Sequence, residues 1–213
     1  MNRALDVVGA SLGLVLASPF LAAAAIAIKL DGGGPVLYRQ RRVGKDGDEF
    51  ELVKLRTMVV GAESQGAGWA VNHGDSRITR VGSTLRRLSL DEVPQLWNVL
   101  RGEMSLIGPR PTLAYQVEQY TPHQRRRLAV RPGITGWAQV QGRASLPWEE
   151  RIELDVWYVD HRSPWLDLKI LARTPLALFG GTYKGKTGGW QAGGSRRKRL
   201  SKGTAHLLPV AIV

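Results

Sequence analysis

Residues 7–28 carry no ionisable side chain, and Asp6 and Lys29 bracket them. As a helix this stretch runs ~33 Å, the thickness of a bilayer's hydrocarbon core. Its ten strongly apolar side chains contribute roughly −3 to −6 kcal/mol to insertion. A cleaved leader is disfavoured because the apolar run continues past the alanines at 22–25, and a helix apolar on every face is hard to bury in so small a domain. A membrane-inserted helix is therefore expected. Pro19 deprives it of one backbone hydrogen bond, at ~3 kcal/mol in a regular helix, so a kink is expected there. The hydroxyl of Ser18 can satisfy the freed carbonyl. Basic residues flank both ends, Arg3 before and Lys29, Arg39, Arg41, Arg42 and Lys45 after. The positive-inside bias thus does not separate the ends, and a helix broken at Ser18-Pro19 that enters and leaves by one face fits better than a full span.

Beyond residue 31 the pattern changes. Val36 and Tyr38, then Phe50 and Leu52, supply apolar positions at period two around Lys45-Asp46-Gly47-Asp48, which predicts a β-hairpin. Residues 61–83 are rich in Gly, Ser and Asn and read as a long loop. Leu90, Val93, Trp97 and Leu100 recur at helical spacing, leaving Asp91, Glu92, Gln95 and Asn98 on more polar faces and Trp97 in the core. Thr121-Pro122-His123-Gln124 has the form of a capping box with proline at the first helical position, and Ser163-Pro164 repeats that start signal. The helix that follows, residues 165–179, is strongly apolar, and its Trp165 suits a headgroup boundary. The expected fold is α+β and mostly helical: a membrane helix over 1–30, a catalytic domain over 31–180 with a small hairpin and amphipathic helices, and a tail over 181–213.

Composition narrows the function. The 213 residues include no cysteine, which excludes disulfides, thiolate zinc sites and a cysteine nucleophile. His73, His123, His161 and His206 share no metal-ligand spacing. The net charge of +12 is uneven: seven of the 30 basic residues and none of the 18 acidic ones lie beyond residue 180. That tail, with Arg196-Arg197-Lys198-Arg199, suits an anionic surface, either nucleic acid or lipid headgroups, or is a plain solvated end.

Two segments can carry chemistry. In residues 84–111 the neighbouring carboxylates Asp91 and Glu92 lie close in sequence to Arg86, Arg87, Arg101 and Arg110. Paired carboxylates bind Mg²⁺ or divide nucleophile and acid/base roles, while arginines hold phosphate oxygens bidentately. The same acidic pair also reads as a capping box begun at Ser89, although Pro94 lacks the N–H that such a helix requires. In residues 131–143, Gly133, Gly136 and Gly142 allow close backbone approach, and Arg131 and Arg143 bracket the turn. A nucleotide-diphosphate loop has this form, and so does a tight connection with two surface arginines.

At these residues the sequence resembles the bacterial sugar transferase family, the monotopic phosphoglycosyl transferases. The blocks run in family order from the apolar helix with Ser18-Pro19 through PVLYRQRRVG, FELVKLRTM, LRRLSLDEVPQLWNVLRGEMSLIGPRP and RPGITGWAQVQGR to ELDVWYVDHRSPWLDLKIL. The resemblance implies an enzyme on the cytoplasmic face of the bacterial inner membrane, held there by a re-entrant helix; basic residues facing anionic lipids would help to hold it, and a homodimer is compatible with the sequence. It would move a sugar 1-phosphate from a UDP-sugar to undecaprenyl phosphate, releasing UMP, as the first membrane step of glycoconjugate assembly. By resemblance Asp91 is the nucleophile that forms an aspartyl phosphosugar, and Glu92 assists by deprotonating the lipid phosphate and positioning Mg²⁺. Lys54, Arg56, Arg86 and Arg110 then become phosphate ligands, and Arg131 and Arg143 nucleotide contacts. A membrane-tethered nucleic-acid-binding protein is the rival reading; it explains the tail but not the acidic pair. A noncatalytic scaffold is a further rival, against which the intact pair argues.

Overall fold

The structure is a computed structural model that describes residues 2–65, 74–142 and 145–179. The expected tail and Arg143 lie outside the described residues. Helix α1 (Arg3–Gly32) continues as one helix through Pro19. The Ser18 hydroxyl donates to Val15 O at 2.8 Å, the carbonyl that the proline nitrogen leaves without its helical partner. Only Asp6, Ala10, Ala24 and Ile28 of α1 are buried. Leu5, Val8, Leu12, Val15, Leu16, Phe20, Ile26 and Leu30 are each more than half exposed, so α1 is not a core helix.

Both ends of α1 are bonded to the globular body. Near the N-terminus, Arg3 donates to the carbonyls of Val99 and Leu100. Buried Asp6 accepts from Ser105 Oγ and Leu106 N at 2.8 and 2.9 Å. At the other end, Asp31 accepts from Val81 N at 2.9 Å, and Ile28 packs with Leu55 and Leu85.

The hairpin forms as expected. β1 (Leu37–Val43) and β2 (Glu49–Leu55) pair antiparallel with Tyr38 opposite Lys54 and Arg42 opposite Phe50. The turn has Asp46 at positive φ, a conformation Asp tolerates better than most residues. The outer edge of β2 is covered by a side chain rather than a strand. Asn98, fully buried, donates to Glu51 O and accepts from Val53 N at 2.7 and 3.0 Å. Its amide reproduces one residue of ladder hydrogen bonding, so the more polar face on which Asn98 was expected is, at this residue, a buried one.

The loop expected over 61–83 is shorter than its composition suggests, because helix α2 (Arg80–Arg87) begins inside it, capped by Thr79, whose hydroxyl accepts from Gly82 N. Helix α3 (Gln95–Arg101) follows Pro94. Asp91, Gln95 and Asn98 are buried and Trp97 is 53% exposed, the reverse of the expected polar and apolar faces. Strand β3 (Ser105–Ile107) comes next, then short helices α4 (Ala114–Val117) and α5 (Pro122–Arg125), then strand β4 (Gly133–Thr135). The capping box at α5 is present as read, with Gln124 N and Thr121 N each bonded to the other residue's side chain.

β3 and β4 pair in parallel, a second sheet that the hydropathy pattern did not announce. Gly133 and Gly136 serve this approach of chain to chain: a Cβ at either would land on the Gly108 backbone. Helices α6 (Trp137–Gln141), α7 (Trp148–Asp160) and α8 (Pro164–Phe179) complete the body. The α8 start is capped as read, Leu166 N donating to Ser163 Oγ at 3.2 Å. Leu166 and Ile170 of α8 are buried, while Trp165, Leu168, Leu171 and Leu176 are exposed.

Candidate active site

One cavity of about 690 Å³ gathers Lys54, Arg56, Arg86, Asp91, Glu92 and Arg110. Six of the eight site residues proposed from sequence, spread over 57 positions of the chain, thus converge. Each comes from a different local device. Period-two alternation along the hairpin puts Lys54 on the face of Tyr38, with its Nζ 5.0 Å from the ring centroid. Arg56 follows β2 directly. Arg86 sits on the last turn of α2, where its Nε donates to Thr57 Oγ1 at 2.7 Å.

The acidic pair occupies a single turn, Leu90–Glu92, wedged between α2 and α3. Ser89 enters that turn in the left-handed region at φ 55° and makes no side-chain cap. The capping-box reading of Ser89 is therefore set aside. Pro94 has no N–H to continue a helix begun at Leu90, so a separate turn presents Asp91 and Glu92 before α3 starts. A left-handed conformation at a non-glycine residue costs on the order of 1–3 kcal/mol and recurs at functional sites.

Arg110, on the chain that leaves β3, grips Glu92 with both terminal nitrogens. Its own backbone is held from beneath. Buried Arg127 donates to Arg110 O at 2.9 Å and to Tyr120 Oη at 2.6 Å, and it pairs with buried Asp155 of α7. Arg56 is the least satisfied cation: it is buried, it donates to Gly33 O, and its Nε and Nη1 have no partner among the described residues. Buried donors normally find partners, and Arg56 is among the residues that line the cavity.

Arg42 also lines the cavity. It donates to Gln40 Oε1 at 3.0 and 2.6 Å and to Pro111 O at 3.3 Å. Sequence reasoning counted Arg42 only as a basic flank of the apolar helix. The alternation that placed Tyr38 could have found it, since residues 38, 40 and 42 share one face of β1.

Burial sets the electrostatics. Burial, then the charge of Glu92, raises the Asp91 carboxyl to about 6, against the pull of Lys54, Arg86 and Arg110. Burial and the neighbouring Arg42 lower Lys54 to about 8, and burial and Arg110 lower Arg42 to about 10. Asp91 is thus an ionised but poorly hydrated carboxylate near neutrality, which makes it more nucleophilic than one in water. Arg42, Lys54, Arg56, Arg86 and Arg110 surround two carboxylates, so the inner cavity is net positive and suited to a ligand with several anionic oxygens.

Arg131 is not brought to this cavity. It is exposed, and its Nε donates to Gly102 O at the end of α3. With Gly133 and Gly136 given over to chain packing, residues 131–136 form a tight connection. Among the described residues no three metal-ligating side chains converge. A cation here would rest on Asp91 and Glu92 together with substrate oxygens, the usual habit of Mg²⁺.

The family described as "Bacterial sugar transferase" matches residues 1–181. An uncharacterized sugar transferase of Bacillus subtilis is 44% identical over 174 residues, 82% of this chain and 85% of that protein. The UDP-glucose:undecaprenyl-phosphate glucose-1-phosphate transferase of Caulobacter vibrioides is 47% identical over 186 residues, covering 84% of this chain and 69% of its own. A UDP-N-acetylgalactosamine-undecaprenyl-phosphate N-acetylgalactosaminephosphotransferase of Aeromonas hydrophila is 42% identical over 187 residues, 85% of this chain but 44% of that longer protein. The chain belongs to the bacterial sugar transferase family.

Proposed function

We propose that this chain transfers a sugar 1-phosphate from a UDP-sugar to undecaprenyl phosphate by way of an aspartyl phosphosugar. The observation that carries the reading is the convergence of Asp91, Glu92 and four predicted cations on one cavity, in a family whose named members act on these substrates.

An Asp91 oxygen attacks the β-phosphorus of the nucleotide sugar. The bond from that phosphorus to the bridging oxygen breaks, and UMP leaves with the electron pair. A phosphate oxygen of the lipid then attacks the same phosphorus and releases the Asp91 carboxylate. The chain's part in both steps is alignment and charge neutralisation, the main requirements of phosphoryl transfer. Lys54, Arg56 and Arg86 hold non-bridging oxygens. Arg110 keeps Glu92 oriented and keeps its charge beside Asp91.

The acidic pair fits a Mg²⁺ ion, because Asp91 is raised by burial and then by the like charge of Glu92, a repulsion that a divalent cation would relieve. Bound there with substrate oxygens, Mg²⁺ would supply further neutralisation at the pyrophosphate.

The acceptor is a lipid, so the site works at a membrane surface. We read α1 as entering and leaving the bilayer by one face. The support is geometric: Arg3 and Asp6 at one end and Asp31 at the other are all bonded to the same globular body, which lies on one side of the bilayer, while the side chains between them are apolar and largely exposed. A straight span would carry one of these ends ~30 Å away.

Incubating the full chain in lipid vesicles with undecaprenyl phosphate, Mg²⁺ and each of a panel of UDP-sugars tests the reading. Release of UMP with formation of a diphosphate-linked lipid sugar is expected for at least one donor. Absence of UMP with every donor would refute it.

A further inference from the structure

A second cleft of about 200 Å³ opens beside the acidic turn. Glu92 lines this cleft as well as the large cavity, so the acidic residue belongs to both. The two spaces differ in chemistry. The large cavity is walled by cations. The second is walled largely by Val93 and Leu96 after the acidic turn, Ile134 of β4 and Ala177 of α8, with no lysine or arginine among its lining residues.

Two further observations bear on what the cleft holds. Gln139 is more than nine-tenths buried and lines it. Its Nε2 donates to Ile134 O at 2.7 Å, which fixes the amide, yet its Oε1 has no partner among the described residues. Native structures seldom leave such an atom unpaired unless water or a ligand completes it. Leu96 continues from the cleft to α1, where a Cβ on Gly13 would sit 3.0 Å from Leu96 Cδ1. One wall of the cleft is therefore also the contact to the apolar helix.

We propose that this cleft holds the phosphate-proximal isoprene units of the polyprenyl phosphate acceptor, a reading that rests on the acceptor named above. The donor occupies the cationic cavity first; once UMP has left, the lipid phosphate takes the face UMP vacated, in line with the Asp91–phosphorus bond, while its first isoprene units lie in the apolar cleft next to Glu92. Gln139 Oε1 accepts a hydrogen bond from a water held beside the lipid. The two substrates use the phosphate position in turn and differ in where the rest of each goes: the tail chooses the cleft by burial of apolar surface, a term absent from the nucleotide.

Steady-state kinetics of the full chain in vesicles test this with Ala177→Trp and Val93→Phe, which fill the cleft from α8 and from the acidic turn. UMP release is followed against undecaprenyl phosphate and, separately, against the best UDP-sugar. Both variants are expected to raise KM for undecaprenyl phosphate by about tenfold or more while leaving KM for the UDP-sugar within about twofold. Ala177→Ser, which adds little volume, is expected to behave as wild type. A phosphate with a single five-carbon prenyl group is expected to lose its disadvantage against the long chain in the filled variants. An unchanged acceptor KM in both variants, or an equal rise in both KM values, would overturn the proposal. A variant that fails to fold loses its UDP-sugar KM too, and the other then decides the matter. A wild-type protein that releases no UMP with any donor removes the reaction itself and the cleft's role with it.

Discussion

Two clusters of buried charge meet at Arg110 in this molecule, and they are built on opposite plans. In one, Arg127 and Asp155 are both 4% exposed, and the pair is closed by Tyr120 and the Arg110 carbonyl. In the other, Asp91 faces Lys54, Arg86 and Arg110 across an open cavity, its carboxyl pushed up to about 6 and Lys54 pushed down to about 8. The first cluster pairs its two charges with each other, with Arg127 Nε left without a partner among the described residues, and fixes the backbone from which Arg110 reaches Glu92. The second lies beside an open cavity that an anionic ligand can enter. Burial alone does not distinguish structure from chemistry here; the open space beside the charges does.

Removing one carboxylate from each cluster separates the two plans most strongly. Asp91→Asn is expected to lower transfer by about 10³-fold or more with no loss of stability. The sign follows from linkage. Asp91 titrates at about 6 in the folded chain against 3.8 for the free group, so between about pH 4 and 6 the unfolded state gives up its proton first and folding weakens as pH rises. At pH 7 that penalty is fully present, and asparagine removes it, a gain of roughly 1–3 kcal/mol. Burial raises the Asp155 carboxyl too, but Asp155→Asn is expected to lose about 3–5 kcal/mol, because it strands buried Arg127, whose charge Asp155 supports. Thermal unfolding and UMP release on both variants check the pair, and destabilisation by Asp91→Asn would break the contrast.

A smaller effect sharpens it. With Asp91 needed as carboxylate and Lys54 as cation, kcat/KM is expected to fall below about pH 6 and again above about pH 8. Glu92→Gln takes away a neighbouring negative charge, so Asp91 becomes more acidic and the lower limb moves to lower pH, alongside a loss of rate. A lower limb that stays in place, or moves up, would mean that Glu92 does not act on Asp91 electrostatically.

The smallest expected effect concerns the support of the site. Asn98→Ala leaves Val53 N and Glu51 O without their side-chain partner and is expected to cost about 2–3 kcal/mol. Chemical denaturation measures it, and KM for the donor should change little if β2 keeps its register.

What the sequence made legible was local. The hairpin, the capping box at Thr121 and the start of α8 at Pro164 each depend on a few adjacent residues, and each stands in the structure. Asp91, Glu92, Arg86 and Arg110 stood out as neighbouring carboxylates and arginines within one segment, and Lys54 and Arg56 because family blocks mark them. The parallel pairing of β3 with β4 joins three-residue strands almost thirty positions apart, and its signature is only that Gly133 and Gly136 have no side chain. Those same glycines suggested a nucleotide loop flanked by Arg131, because a close backbone approach reads alike whether the neighbour is a ligand or Gly108. Asn98 and Trp97 were misplaced for a related reason: hydropathy assigns a polar residue to solvent, whereas an amide that closes a strand edge belongs inside, and it leaves the indole outside.

The central claim is that Asp91 carries the sugar phosphate between the two substrates, and intact-protein mass spectrometry tests it most directly. The full chain is mixed with a turned-over UDP-sugar and no lipid acceptor, then digested to locate any adduct. The account expects a mass increase of one sugar phosphate on the peptide containing Asp91, discharged by adding undecaprenyl phosphate and absent from Asp91→Asn. The same adduct on Asp91→Asn, or turnover by wild type with no adduct that the acceptor discharges, would contradict it.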